Sequence, residues 1–359
     1  MAQAEAGRPG IDWAIVRAAA HRTVGTNWLE VGPALERLQA QYAAYVADSK
    51  ALIAEFTGWT LPIAPENVEV ADREAWVDAN IGQFRRLFEA LAPSLFPDPG
   101  PNAFNRVLAG AGVVALSVQV GLLLGFLSRR VLGQFDVAFF GAAADRRVLF
   151  VEPNIRRAIA VMRVNPDSFR LYLSLHETTH VAEFGAHPWL ADYLIGLLRD
   201  YLGTLGGDPL ASLAARLAGR SSGAAGAGPI GLFLSDEQRA IFDRLQAAMS
   251  LIEGYGDYVM HTLAPRRLAD AAEIDRKFAE RRRRRSPLEQ LVFRITGLDL
   301  KLAQYAAGER FVSQIVELAG HDAAQLAWRD ADSLPTMKEI LEPPRWLERM
   351  GITAAGRSR

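Results

Sequence analysis

The sequence predicts a mainly α-helical protein with a small β element, an α+β fold. Three observations carry this reading. Apolar residues recur at three- and four-residue spacing along most of the chain, the period of helices buried on one face. One short region, DVAFFG and RVLFVEP (Asp136–Gly141 and Arg147–Pro153), switches to runs rich in Val and Phe. The clearest break is PSLFPDPGPN, Pro93–Asn102, whose prolines cannot sit inside a helix.

In order, residues 1–10 read as a flexible N-terminal tail, and 11–130 as a helical region. Within it, Ile11–Val24, Pro33–Phe56 and Asp72–Leu91 have helical periodicity, with a Pro-rich loop at Leu61–Glu66. Val107–Leu127 follows, 21 residues without a charge, long enough by itself to span a bilayer or to fill the centre of a helical protein. Residues 131–345 begin with the two Val/Phe runs, which predict a β-hairpin or two adjacent strands. The next helix starts near Asn165-Pro166-Asp167, with Asp167 or Ser168 as N-cap, and stops near Gly185; Pro188 opens another. AGRSSGAAGAGPIG, Ala218–Gly231, reads as a loop or hinge, and Ser235–Leu263 as a long helix. The run Arg281–Arg285 reads as a solvated end of a charged helix, and 346–359 as a C-terminal tail.

Composition narrows the function. A chain of 359 residues, 50% hydrophobic, can bury a large core. Its net charge of -1 gives no global pull toward nucleic acid or an anionic membrane, so neither is expected as a partner. With no cysteine, any metal must be held by His, Asp or Glu. The opening MAQAEAGRPGIDWAIV has no basic stretch followed by an apolar one, and the cytoplasm is the expected location.

The chemistry concentrates in LSLHETTHVAEFG, Leu173–Gly185, which holds two of the six histidines. Residues four apart share a helix face, so His176 and His180 can present imidazole nitrogens to one ion. Glu177 is offset from them by about 100°. It is close enough to take a proton from a metal-bound water, but is not aimed to be a ligand. A catalytic zinc needs a third protein ligand and an open position. Three residues compete for that place. Glu183 shares the face but lies roughly 10 Å along the axis from His176. His187 fails the extended HExxHxxGxxH pattern, since Glu183 and Ala186 stand where Gly and His would be needed. Glu253, in SLIEGYGDYVMH (Ser250–His261), is favoured. Asp257, one turn further, can accept the spare N–H of a ligand histidine. Gly254 and Gly256, poor helix formers, suggest that another element comes close there. Tyr255, Tyr258, His261 and Arg310 are nominees by type and neighbourhood for stabilising a developing oxyanion or holding substrate.

The ordered set DREAWVDAN (Asp72–Asn80), VLGQFD (Val131–Asp136), FVEPNI (Phe150–Ile155), HETTHVAEF, LIEGYGDYVM and GLDLKLAQYAAGERFV (Gly297–Val312) resembles the bacterial type 2 zincin-like metallopeptidases. These are an actinobacterial family often labelled as associated with biosynthesis of a deazaflavin coenzyme. The pairing of HETTH with the distant Glu-bearing segment is also similar to the gluzincin arrangement. The resemblance implies a zincin-like metallopeptidase fold and a cytoplasmic, metal-dependent hydrolase. It implies one Zn²⁺ held by His176, His180 and Glu253, Glu177 as general base, and Asp257 supporting a ligand histidine. It also implies that Val107–Leu127 is a buried helix.

The expected activity is therefore zinc-dependent hydrolysis of a peptide or another amide-containing substrate. An extended peptide would pair with the edge of a strand at Arg147–Val151. The alternatives are a non-catalytic zinc-binding regulatory or interaction protein, against which the intact Glu177 counts, and a metalloprotease anchored in a membrane by Val107–Leu127.

Overall fold

A computed structural model describes residues 10–95, 103–136, 147–204, 235–283 and 298–353. Helices dominate, with one three-stranded sheet, so the predicted α+β class holds. The chain groups into two units, residues 1–49 with 63–177, and residues 50–62 with 178–359.

The first unit contains α1 (Trp13–His21), most of α2 (Pro33–Thr57), β1 (Val68–Ala71), α3 (Arg73–Leu95), α4 (Ala103–Ser128), β2 (Gly133–Asp136), β3 (Arg147–Val151), α5 (Glu152–Met162) and the first part of α6 (Pro166–Ala186). The strand order is β1-β3-β2. β1 runs parallel to β3, from Val68 opposite Val148 to Ala71 opposite Val151. β2 runs antiparallel on the other side, from Gly133 opposite Phe150 to Asp136 opposite Arg147. Val148, Leu149, Phe150 and Val151 are all fully buried, which is why this strand is a continuous apolar run rather than an alternating one.

The strand expected at Arg147–Val151 is therefore present, but it is central. Both its sides are paired, so it offers no edge to a peptide; the outer strands among the described residues are β1 and β2. Most of the other expected run, Asp136–Gly141, lies outside the described residues, and β2 ends at Asp136. β1 was not anticipated. Four residues, VEVA, are too few to show a period, and Glu69 joins the sheet through Arg147 at 2.8 Å.

Two packing devices place α6. Tyr42 of α2 stacks on Phe150, ring centroids 4.3 Å apart, and its hydroxyl donates to Glu152 at 2.6 Å. The buried Glu152 also accepts from Arg156 at 2.9 Å and from Arg170, which ties the start of α6 to the start of α5. Burial and the neighbouring Glu152 charge push the Tyr42 hydroxyl well above its ordinary pKa, so it stays a donor. The N-cap of α6 is Asn165, whose Oδ1 accepts from the N–H groups of Asp167 (2.9 Å) and Ser168 (3.0 Å). The expected cap at Asp167 or Ser168 is displaced because Pro166, with no N–H to satisfy, fits the first helical position.

α4 contains the uncharged run, and its glycines pack it against α1. A Cβ on Gly121 would stand 2.4 Å from the Val16 carbonyl oxygen, and one on Gly125 2.7 Å from that of Ala20. Leu124 joins Val16, Ala20, Val24, Trp76, Val77 and Val151 in one apolar cluster. The expectation of a buried helix is corrected on the other face. Only 22% of Gly110–Ser128 is buried, and Val114, Val118, Leu122 and Leu123 are exposed.

The second unit contains the rest of α6, α7 (Trp189–Gly203), α8 (Asp236–Leu263), α9 (Ala271–Arg283), α10 (Leu298–Ala319), α11 (His321–Gln325), α12 (Met337–Leu341) and α13 (Pro343–Arg349). Ser235 caps α8 through a capping box with Gln238. α8 and α10 interlock at glycines. A Cβ on Gly254 would lie 2.2 Å from the Gly308 carbonyl carbon, and one on Gly308 1.9 Å from the Ser250 oxygen. The glycine after Glu253 is thus explained by backbone-to-backbone approach. Trp346 of α13 is fully buried and donates to the Ser333 carbonyl at 2.9 Å. The loop Ala218–Gly231 and the end of the arginine run, Arg284 and Arg285, lie outside the described residues.

Candidate metal centre

α6 is one uninterrupted helix, so His176 and His180 emerge one turn apart on the same side. Glu253 enters from α8, its Oε2 4.0 Å from His180 Nε2. One ligand atom each from His176, His180 and Glu253 can be chosen so that all lie within 4.8 Å of one another. Four-coordinate zinc with bonds of about 2.0–2.2 Å holds its donors about 3.4 Å apart. Two imidazoles and one carboxylate are a donor set that suits zinc, and a fourth position stays available for water. The residues present therefore fit the metal.

His180 is oriented from behind. Its Nδ1 lies 2.7 Å from Glu183 Oε2, three residues along α6. A carboxylate accepts, so Nδ1 carries the proton and Nε2 keeps the lone pair on the side of Glu253. Glu183 is fully buried. Its backbone carbonyl accepts from His187 Nδ1 at 2.9 Å. The His187 ring sits between Trp59 (4.6 Å) and Trp328 (5.6 Å), and burial lowers its pKa, keeping it neutral. Sequence reasoning weighed Glu183 only as a ligand and missed this supporting position. The three-residue spacing from His180 was the available signal. Asp257 is buried on α8 one turn beyond Glu253.

Glu177 is 7% exposed. Gly133, the first residue of β2, lies directly against it: a Cβ there would stand 2.5 Å from Glu177 Oε1. The backbone of β2 thus passes beside the carboxylate where any side chain would displace it. Only the glycine itself, in VLGQFD, hinted at this.

The four residues nominated to stabilise charge or hold substrate are spread more widely. Tyr255 is fully buried and stacks on Trp59 at 5.2 Å, with its hydroxyl 3.3 Å from His321 Nε2. Burial, then the Glu183 charge, raises its pKa, so the hydroxyl remains protonated. Tyr258 is half-buried, 6.3 Å from the Tyr255 ring. His261 lies between Glu309 (2.6 Å) and Asp275 (2.8 Å). Arg310 is exposed on α10. None of the four hydrogen-bonds to His176, His180 or Glu253 among the described residues.

Two helix-borne histidines one turn apart, a glutamate next to the first, and a third donor from a second helix form a group that could hold a metal ion, in the arrangement of the zincin motif. The chain belongs to the zincin-like metallopeptidase family, whose match runs over residues 11–347. It is also similar to a solved structure from Chloroflexus aurantiacus, described as a "putative hydrolase with a novel fold". The two are 37% identical, with a TM-score of 0.69, over 95% of this chain and 99% of that one. No curated protein matches the chain.

Proposed function

We propose that the protein is a zinc-dependent hydrolase that cleaves amide bonds in peptides or peptide-like molecules. The observation that carries this is the convergence of His176, His180 and Glu253, with Glu177 beside the first histidine. Family membership and the likeness to a protein described as a hydrolase support it. Bound zinc would supply Lewis acidity, making a water molecule a stronger acid and polarising a substrate carbonyl. Glu177 takes the proton from that water and returns it to the departing amine. Glu183 keeps His180 in one tautomer throughout. Gly133 lets β2 run close to Glu177, and the outer side of β2, unpaired among the described residues, is the edge along which an extended peptide would pair.

The test is digestion of a peptide library by zinc-loaded protein, wild type beside Glu177→Gln. Cleavage by the wild type that falls at least about a hundredfold in the variant supports the reading. Cleavage that ignores Glu177, or none by the wild type, contradicts it.

A second reading, that the protein works at a membrane, is favoured by one observation: the exposed apolar face of α4. Flotation with lipid vesicles tests it. Binding that Leu122→Glu and Leu123→Glu abolish supports the reading, and a protein that stays with the aqueous fraction removes it.

A further inference from the structure

Residues of the first unit line an open cleft of about 400 Å³ that the metal centre does not use. Its lining is dominated by arginine: Arg73, Arg129, Arg156 and Arg157, together with Trp28 and Pro153. That volume lies in the range of small-molecule sites, about 300–1,000 Å³.

The four arginines differ in what compensates them. Arg156 is paired with Glu152 and Glu30, and its guanidinium lies 4.8 Å from the Trp28 ring centroid. Arg73 is buried and, among the described residues, held only by neutral oxygens: Asn154 Oδ1 at 2.8 Å and the carbonyls of Val24 (2.9 Å) and Thr26 (2.5 Å). Arg129 and Arg157 are exposed and make no hydrogen bond or ion pair among the described residues. Gly25 marks how close two of them stand. A Cβ at that position would be 3.7 Å from Arg73 Nη1 and 3.8 Å from Arg129 Nε.

Among the described residues, three guanidinium groups without a carboxylate partner thus face one cleft. Burial, and then the charges of Arg129 and Arg157, lower the pKa of Arg73 below its ordinary value. A solvated basic surface accounts for Arg129 and Arg157 but not for Arg73. Burying a positive charge against neutral acceptors beside two like charges is costly unless an anion completes the set. Neither nearby acid does so: the Glu152 carboxylate is bound by Tyr42, Arg156 and Arg170, and Glu30 pairs with Arg156.

We propose that this cleft binds a phosphoryl group, either the free ion or a phosphate monoester whose flat or apolar part rests on Trp28. A phosphoryl dianion offers several oxygens to planar donors, which is the geometry guanidinium groups match best. Trp28 is 60% exposed, a large ring left open beside the charges.

The proposal is tested by calorimetric titration of the full chain with inorganic phosphate, pyrophosphate and adenosine monophosphate. Saturable one-to-one binding of at least one of these supports it, provided the Arg129→Ala/Arg157→Ala double variant binds at least about tenfold more weakly. The affinity is expected to be the same in chelator-treated protein, because the metal ligands take no part. Equal affinity for phosphate and the monoester assigns the site to the free ion. Tighter binding of the monoester, lost in Trp28→Ala, assigns it to the ester. Failure of all three probes to bind below about 10 mM, unchanged affinity in the double variant, or binding that disappears with the chelator would each overturn the proposal. Unfolding temperatures of the variants, expected to match the wild type because their guanidinium groups are exposed, guard against misfolding.

Discussion

Glu183 gives a quantitative handle on the metal centre. Its carboxylate is fully buried and accepts from His180 Nδ1 at 2.7 Å. Glu183→Gln keeps the volume and leaves an amide oxygen to accept the same N–H, but removes the charge. Glu183→Ala removes the acceptor altogether and leaves a buried N–H facing a void. Losing such a supporting partner typically weakens metal binding 10- to 100-fold, about 1.4–2.7 kcal/mol. The expected order of zinc affinity is wild type, then Gln, then Ala, with the Ala variant at the far end of that range. Competition with a chromophoric chelator measures it, and circular dichroism checks that the helix persists. Zinc affinity unchanged within about twofold in a folded Ala variant would show that Glu183 does not orient a ligand.

The remaining predictions test neighbouring parts of the same account. Gly133→Ala forces the Glu177 carboxylate aside, so catalytic turnover is expected to fall at least about tenfold while zinc stays bound; loss of zinc would point to general disruption instead. Gly254→Ala puts a methyl 2.2 Å from the Gly308 backbone, and chemical denaturation is expected to show a loss of about 2 kcal/mol or more; a loss below about 0.5 kcal/mol would mean that α8 and α10 separate easily. At His261, burial opposes the charged ring, but the bonds to Asp275 and Glu309 outweigh it and raise the pKa to about 10. The folded-state value exceeds the unfolded one of about 6.5, so this stabilisation is complete below pH 6.5 and is lost as pH rises toward 10. Wild type is expected to lose on the order of 1–3 kcal/mol relative to His261→Gln across that interval, and parallel stability curves would refute the ion cluster.

How far the sequence discloses this structure depends on whether a feature is local. HETTH is readable because four-residue spacing on a helix fixes geometry without any other element. The strand at Arg147–Val151 is readable because a buried central strand is apolar throughout. β1 is not, since four residues carry no period and its place depends on pairing with a strand 80 residues away. The glycines show the same divide. Gly254 disrupts a helix enough to suggest a close neighbour, but nothing local names that neighbour as Gly308. Gly133 sits in a short, unremarkable stretch, and its value lies entirely in the Glu177 carboxylate across from it. The uncharged run of α4 fits a core helix or a bilayer span equally in length, because composition does not say how many faces are covered. Glu183 was visible, but ligation and support of a ligand call for the same residue type, and only the 2.7 Å contact to Nδ1 separates the two.

The central claim is that one zinc ion is shared by α6 and α8. A crystal grown with zinc, with data collected on both sides of the zinc absorption edge, tests it most directly. The account predicts a single strong anomalous peak about 2.0–2.2 Å from one nitrogen each of His176 and His180 and from the Glu253 carboxylate. No peak there at saturating zinc, or a peak held by the two histidines with Glu253 turned away, would contradict it.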